Sequence, residues 1–189
     1  MPIIDPNKNP TGVERRMALE TDPAKRRMLD EVRYHIAVEA GGEIEPAIER
    51  LSPNCEYLLF DHSTAPVTIS GADAIRKNFY GALFDFIDPR LEWDIIRCMV
   101  DGNAVITEGV QKSAVLGKAL IKLGIAGAEP DALYLQDARH MVIWPFDDQL
   151  RLIGETVYFG FSTPPADVVK RKLKPSDFAV YTGKPSKPA

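Results

Sequence analysis

Two β-rich segments that each fold back across a short polar turn constrain this chain most. "LEWDIIRCMV" and "NAVITEGVQKSAVL" are joined by "DGN", and "LYLQDARHMVIWPF" and "LRLIGETVYFGF" by "DDQ". Asp, Asn and Gly adopt the backbone conformations a tight reversal requires, so both pairs are expected to be antiparallel hairpins. The first half reads differently. In "TDPAKRRMLDEVRYHIAVEAGG", Thr21 or Asp22 can cap a helix, Pro23 suits its first position and Gly41-Gly42 stops it. Leu29, Val32 and Ile36 recur at helical spacing, with Met28 and His35 on an adjoining stripe. A shorter helix is expected over 43–51, a strand over 55–60, a short extended return in "APVTISG" and a third helix over 71–87. Helices first and long strands later is an α+β order. The helices must bury their apolar stripes, and the sheet is the surface available. The expected architecture is a cone-shaped barrel: a strongly curved antiparallel sheet wrapped around the N-terminal helices, with an internal cavity suited to a small molecule.

The 189 residues allow one such domain with extra length at its ends. Residues 1–20, rich in Pro, Asn and charge, are expected to be an extended arm; 21–161 form the domain; 162–189 are a Pro- and Lys-rich tail. A net charge of -4 and a pI near 5.4 argue against binding nucleic acid or an anionic membrane. Cys55 and Cys98 lie in apolar runs without CxxC or metal spacing, as expected of thiols in a reducing cytoplasm. Three histidines without HxH or HExxH spacing give no reason to expect a metal. No nucleophile elbow, phosphate-binding loop or dinucleotide fingerprint is visible, so any chemistry is expected to be cofactor-free.

Strand alternation sorts the candidate site residues. If Tyr57 faces inward, so do Cys55, Leu59 and Asp61; Val105, Thr107, Gly109, Gln111 and Ser113 share a face, as do Tyr134, Gln136, Ala138, His140, Val142 and Trp144. Choosing the His140 face as the cavity wall leaves Asp137 and Arg139 outside. The expected pocket then holds Tyr34, Asp61, Gln111, His140 and Glu155, walled by Tyr57, Leu59, Tyr80 and Trp144. His62, at the strand end, can turn either way, and Asp61-His62 is a candidate general base with its orienting partner. The same dipeptide is also good turn chemistry. Tyr34 and His140 can equally be core residues, and Glu155 can pair with Arg151 or Arg139.

The layout resembles the nuclear transport factor two-like superfamily, also called SnoaL-like. The resemblance is carried by "VRYHIAVEAGGEIEPAIERLSPNCEYLLF", "PVTISGADAIRKNF", "DGNAVITEGV" and "WPFDDQLRLIGETVYF". It implies that Tyr34 matches the cavity-facing tyrosine on the first helix of ketosteroid isomerases and scytalone dehydratases, where a phenol can stabilise an oxyanion. "VITEGVQ" is similar to the strand that carries Arg and Asp in limonene epoxide hydrolases, but Gly109 and Gln111 stand in those places. Tyr57 matches that family's strand tyrosine, Leu59 replaces its Asn, and no acid lies at Val157. Epoxide hydrolysis is therefore not expected. The superfamily includes isomerases, dehydratases, cyclases, enzymes that deformylate lignin-type aromatic dimers, and non-catalytic subunits.

Two functions remain open. One is a cofactor-independent lyase, dehydratase or isomerase acting by acid-base chemistry on a small hydrophobic molecule, with Tyr34, Asp61, His62, His140 and Glu155 catalytic. An aromatic substrate, such as a lignin-derived dimer or polyketide-like compound, suits the expected walls. The other is a non-catalytic binding or dimerisation subunit. Apolar residues on the outer strand faces (Leu58, Phe60, Leu133, Leu135, Ile143) suggest a homodimer in either case.

Overall fold

The computed structural model describes residues 1–61, 64–183 and 185–188. The segment read as an extended arm is not extended. After a 3-10 turn at Pro6–Lys8, α1 (Thr11–Met17) packs against the sheet. Val13 is fully buried there, and Asn9 Oδ1 accepts a hydrogen bond from Trp93 N at 2.8 Å. A Pro-rich sequence need not be detached when its side chains fit a neighbouring surface. α2 (Pro23–Ala40) starts as expected, with the Asp22 side chain accepting from Ala24 N and Lys25 N and Pro23 in the first turn. It buries Met28, Leu29, Val32, His35 and Ile36.

α3 (Ile44–Ile48) leads into β1 (Leu51–Phe60) and β2 (Val67–Ser70). The next helical segment is α4 (Ala72–Ala74), a π-helical stretch Ile75–Tyr80 and α5 (Gly81–Phe86). The two hairpins are β3 (Ile87–Asp101) with β4 (Ala104–Leu116), and β5 (Leu133–Pro145) with β6 (Leu152–Ser162). Between them lies α6 (Gly117–Lys122), and α7 (Pro165–Val168) follows β6.

The strands form one sheet in the order β2-β1-β6-β5-β4-β3. Two expectations change here. β1 runs parallel to β6, so the sheet is mixed, and β2 and β3 remain as its edges, so the barrel is not closed. Two glycines lie beside shifts in strand register. At Gly109 a Cβ would lie 2.3 Å from Asp94 O, beside the register shift between Ile95 and Arg97. Gly154, at φ 154°, passes so close to Glu56 that a Cβ would sit 2.0 Å from its carbonyl oxygen. The residue after this bulge is Glu155, which pairs with Tyr57.

The tail is also docked. Leu173, Ile4, Ala114 and Leu135 form a second small core, with Leu133 and Phe178 packed on it. Leu133 and Leu135 are among the outer-face residues expected to suit a homodimer. They are covered by this chain's own ends instead.

Candidate active site

A cavity of about 260 Å³ lies between the inner sheet face and the helical segment before β3. Its wall on β5 is Gln136, Ala138, His140, Val142 and Trp144, the face expected from alternation. The opposite face is engaged outside: Arg139 pairs with Glu108, and Asp137 with Arg171 at 2.7 Å. Phe79, Leu83, Phe86, Leu91, Trp93, Val157 and Phe159 make the rest largely apolar. Trp144 is fixed by donating its indole N–H to Thr107 Oγ1 at 2.8 Å.

The polar groups do not meet at one point. Asp61 and His140 line one end, where β1 follows its Phe60–Tyr158 pairing and His140 pairs with Phe159. Glu155 lies four residues back along β6, about 13 Å at the usual rise of a strand. Gln111, Ser113 and Gln136 make a third patch on β4 and β5. His140 packs edge-on to Phe159, with ring centroids 5.1 Å apart, and burial lowers its pKa to about 4. It is therefore neutral near pH 7 and a weak base. His62 falls outside the described residues.

The densest chemistry is at the deep end, where Glu155, Tyr57 and Tyr80, expected at the site, meet His35, read as core, and Glu39, which the sequence reading did not name. His35 and Glu39 stand four apart on α2, which puts them on one face of the helix. His35 Nε2 lies 3.1 Å from the Tyr80 hydroxyl and 3.2 Å from that of Tyr57, and the two hydroxyls are 3.1 Å apart. Burial raises the pKa of both phenols well above normal, with the Glu39 and Glu155 charges adding to it. The same causes act on Glu39. Burial first, and the neighbouring Glu155 carboxylate second, hold its carboxyl well above the usual range. Part of Glu39 opens into the cavity it lines.

Glu155 is 5% exposed, and its Oε1 is buried without a hydrogen-bond partner among the described residues. That oxygen is 3.3 Å from His35 Nε2, close enough for an ion pair if the ring is protonated. It is nevertheless outside hydrogen-bonding geometry, because the ring nitrogen addresses the two phenols. His35, Glu39 and Glu155 offer atoms all within 4.8 Å of one another, a spacing compatible with a cation. The direction of the imidazole makes the arrangement a hydrogen-bonded cluster rather than a formed ligand set. The histidine-to-glutamate spacing "HIAVE" was the available sequence signal, but the apolar residues between them read as core.

The remaining expected residues are placed as follows. Tyr57 and Tyr80 are fully buried behind the deep end, and Leu59 packs partly buried against the core. Tyr34 is not in the cavity. It packs with Val38 and Ala47, with the Arg50 guanidinium 5.5 Å above its ring. One step along α2 separates the two outcomes: His35, not Tyr34, is on the face that meets the sheet. Glu155 pairs with neither expected arginine, since Arg151 binds Asp147 and Arg139 binds Glu108.

No family model matches the sequence, and comparison with curated proteins finds no match. Solved structures do match. A candidate SnoaL-like polyketide cyclase from Jannaschia sp. CCS1 superposes with a TM-score of 0.55 at 19% identity, covering 74% of this chain and 90% of that one. An NTF2-like protein of unknown function from Burkholderia pseudomallei K96243 gives 0.54 at 11% identity, covering 77% and 96%. The fold is NTF2-like. TerC, crystallised with polyporic acid, superposes with a TM-score of 0.51 at 13% identity over 71% of this chain and 92% of its own. At these identities the likeness establishes the fold and leaves the chemistry to the residues. No helix among the described residues is long and apolar enough to cross a membrane.

Proposed function

We propose that this protein is a cofactor-independent acid-base enzyme of the lyase, dehydratase or isomerase type, acting on a small hydrophobic molecule. The observation that carries the reading is the pair of glutamates at the deep end of an apolar cavity, one whose carboxyl is held well above the usual range by burial and the other's charge, and one with a buried oxygen that has no hydrogen bond among the described residues. Two neighbouring carboxyls in different environments can act as acid and base on one bound molecule. Glu155 removes a proton from the substrate. Glu39 gives its proton to a leaving hydroxyl or to a carbonyl oxygen that gains charge. His35, Tyr57 and Tyr80 do not line the cavity; they are positioning residues that fix the deep end through the ring-to-phenol contacts. Asp61, with neutral His140 and Gln111, orients the substrate's outer part. Tyr34 has no part in the chemistry.

An aromatic substrate is favoured by the Phe and Trp walls. Polyketide-like rings are the class suggested by the cyclase name and polyporic acid of the structural neighbours, and lignin-derived rings suit the same walls. A homodimer through the outer sheet face is supported by exposed Ile96 and Met99 and by the stacked Phe60–Tyr158 pair, and a reducing cytoplasm by two free cysteines.

The test is solvent exchange. Candidate aromatics are incubated with enzyme in D2O and followed by NMR for deuterium uptake or product. Glu39→Gln and Glu155→Gln should each reduce the rate at least about a hundredfold, in keeping with the usual worth of a general acid or base, while the fold is retained. Binding without exchange or turnover in the wild type would favour the second reading, a ligand-binding subunit.

A further inference from the structure

The charge inside the cavity points to the kind of molecule it takes. Three of its described lining residues are acidic, Glu39, Asp61 and Glu155, and none is Lys or Arg. The nearby arginines are engaged elsewhere: Arg50 with Glu31, Arg76 with Glu45 and Asp73, Arg139 with Glu108 and Arg151 with Asp147. A buried carboxylate without a compensating charge or donor is costly, so its complement is expected from the ligand. Glu155 Oε1 is fully enclosed and has no hydrogen bond among the described residues; His35 Nε2, 3.3 Å away, is turned to the two phenols. Trp144, Trp93 and Phe79 line the same cavity, and the face of an aromatic ring attracts a positive group by its π-electron density.

We propose that the ligand is a compact aromatic amine of one or two rings, whose protonated nitrogen donates to Glu155 Oε1 while its rings lie along the tryptophan and phenylalanine walls. This rests on the reading of the cavity as the substrate site. A neutral alcohol can supply the missing donor but brings no positive charge to an acidic cavity. A carboxylate adds a like charge and supplies no donor. The volume of about 260 Å³ sets the limit of one or two rings.

The experiment compares three probes of one shape, 2-naphthylmethylamine, 2-naphthylmethanol and 2-naphthoate, by titration calorimetry at pH 7.5. The amine should bind about tenfold or more tightly than the alcohol, as expected for a hydrogen bond to a charged partner, and the carboxylate weakest. Glu155→Gln should abolish the preference for the amine while leaving alcohol binding nearly unchanged; Glu155→Asp, which draws the carboxylate back from the ligand, provides a second variant should the first fail to fold and should reduce the preference. An alcohol that binds as tightly as the amine, a carboxylate that binds best, or a preference that survives Glu155→Gln would overturn the proposal while the cavity stands as the binding site. If folded wild-type protein binds none of the three, the cavity reading fails with it.

Discussion

His140 should make the protein acid-sensitive by an amount that can be worked out. Its folded pKa is about 4, against 6.5 for an ordinary imidazole, because burial beside Phe159 disfavours the cation. Between those two values the unfolded chain holds the proton and the folded chain does not. Stability from this group is therefore complete above about pH 6.5 and falls as the pH drops toward 4. The full gap corresponds to about 3 kcal/mol; at pH 5 the loss is about 2 kcal/mol, an upper figure because the ring is not completely enclosed. The comparison is urea unfolding of wild type and His140→Gln at pH 7.5 and pH 5. Raised Glu39 acts in the opposite sense, stabilising the fold as the pH falls, but it is common to both proteins and cancels in the difference. The variant should gain about 2 kcal/mol on the wild type between the two pH values. A difference that does not change with pH would refute the placement of a neutral, half-buried His140.

Tyr34→Phe should leave turnover unchanged, since its ring lies against Val38 and Ala47 and outside the cavity; a tenfold loss would return it to the site. Gly109→Ala should cost about 1–3 kcal/mol in chemical unfolding, because the new methyl must displace the Asp94 carbonyl 2.3 Å away. Phe178→Ala should destabilise by about 2 kcal/mol, less than a fully buried Phe would, by uncovering the small core around Ile4 and removing its stack under Arg90 at 4.1 Å. A melting temperature equal to wild type would mean that the tail is not docked.

Much of the fold could be read from periodicity. The two hairpins, the cap at Asp22 and the inward face of β5 follow from local rules, because turn residues and two-residue alternation act over only a few positions. The same rules put Glu155, Gln111, Trp144 and Asp61 on the cavity side. They could not settle Tyr34 against His35. Neighbouring positions on a helix differ by about 100°, and only the packing of α2 on the sheet decides which one meets the strands. Nor could they join His35 and Glu39 to Glu155, because β6 reaches α2 through a sheet whose β1–β6 pairing is parallel and whose bulge at Gly154 no local pattern reveals. The chain's order of helices and strands determined an α+β cone with one apolar wall. Tertiary structure decided where acidic groups are buried in it, because burial and the neighbours that meet a carboxyl are properties of distant segments brought together.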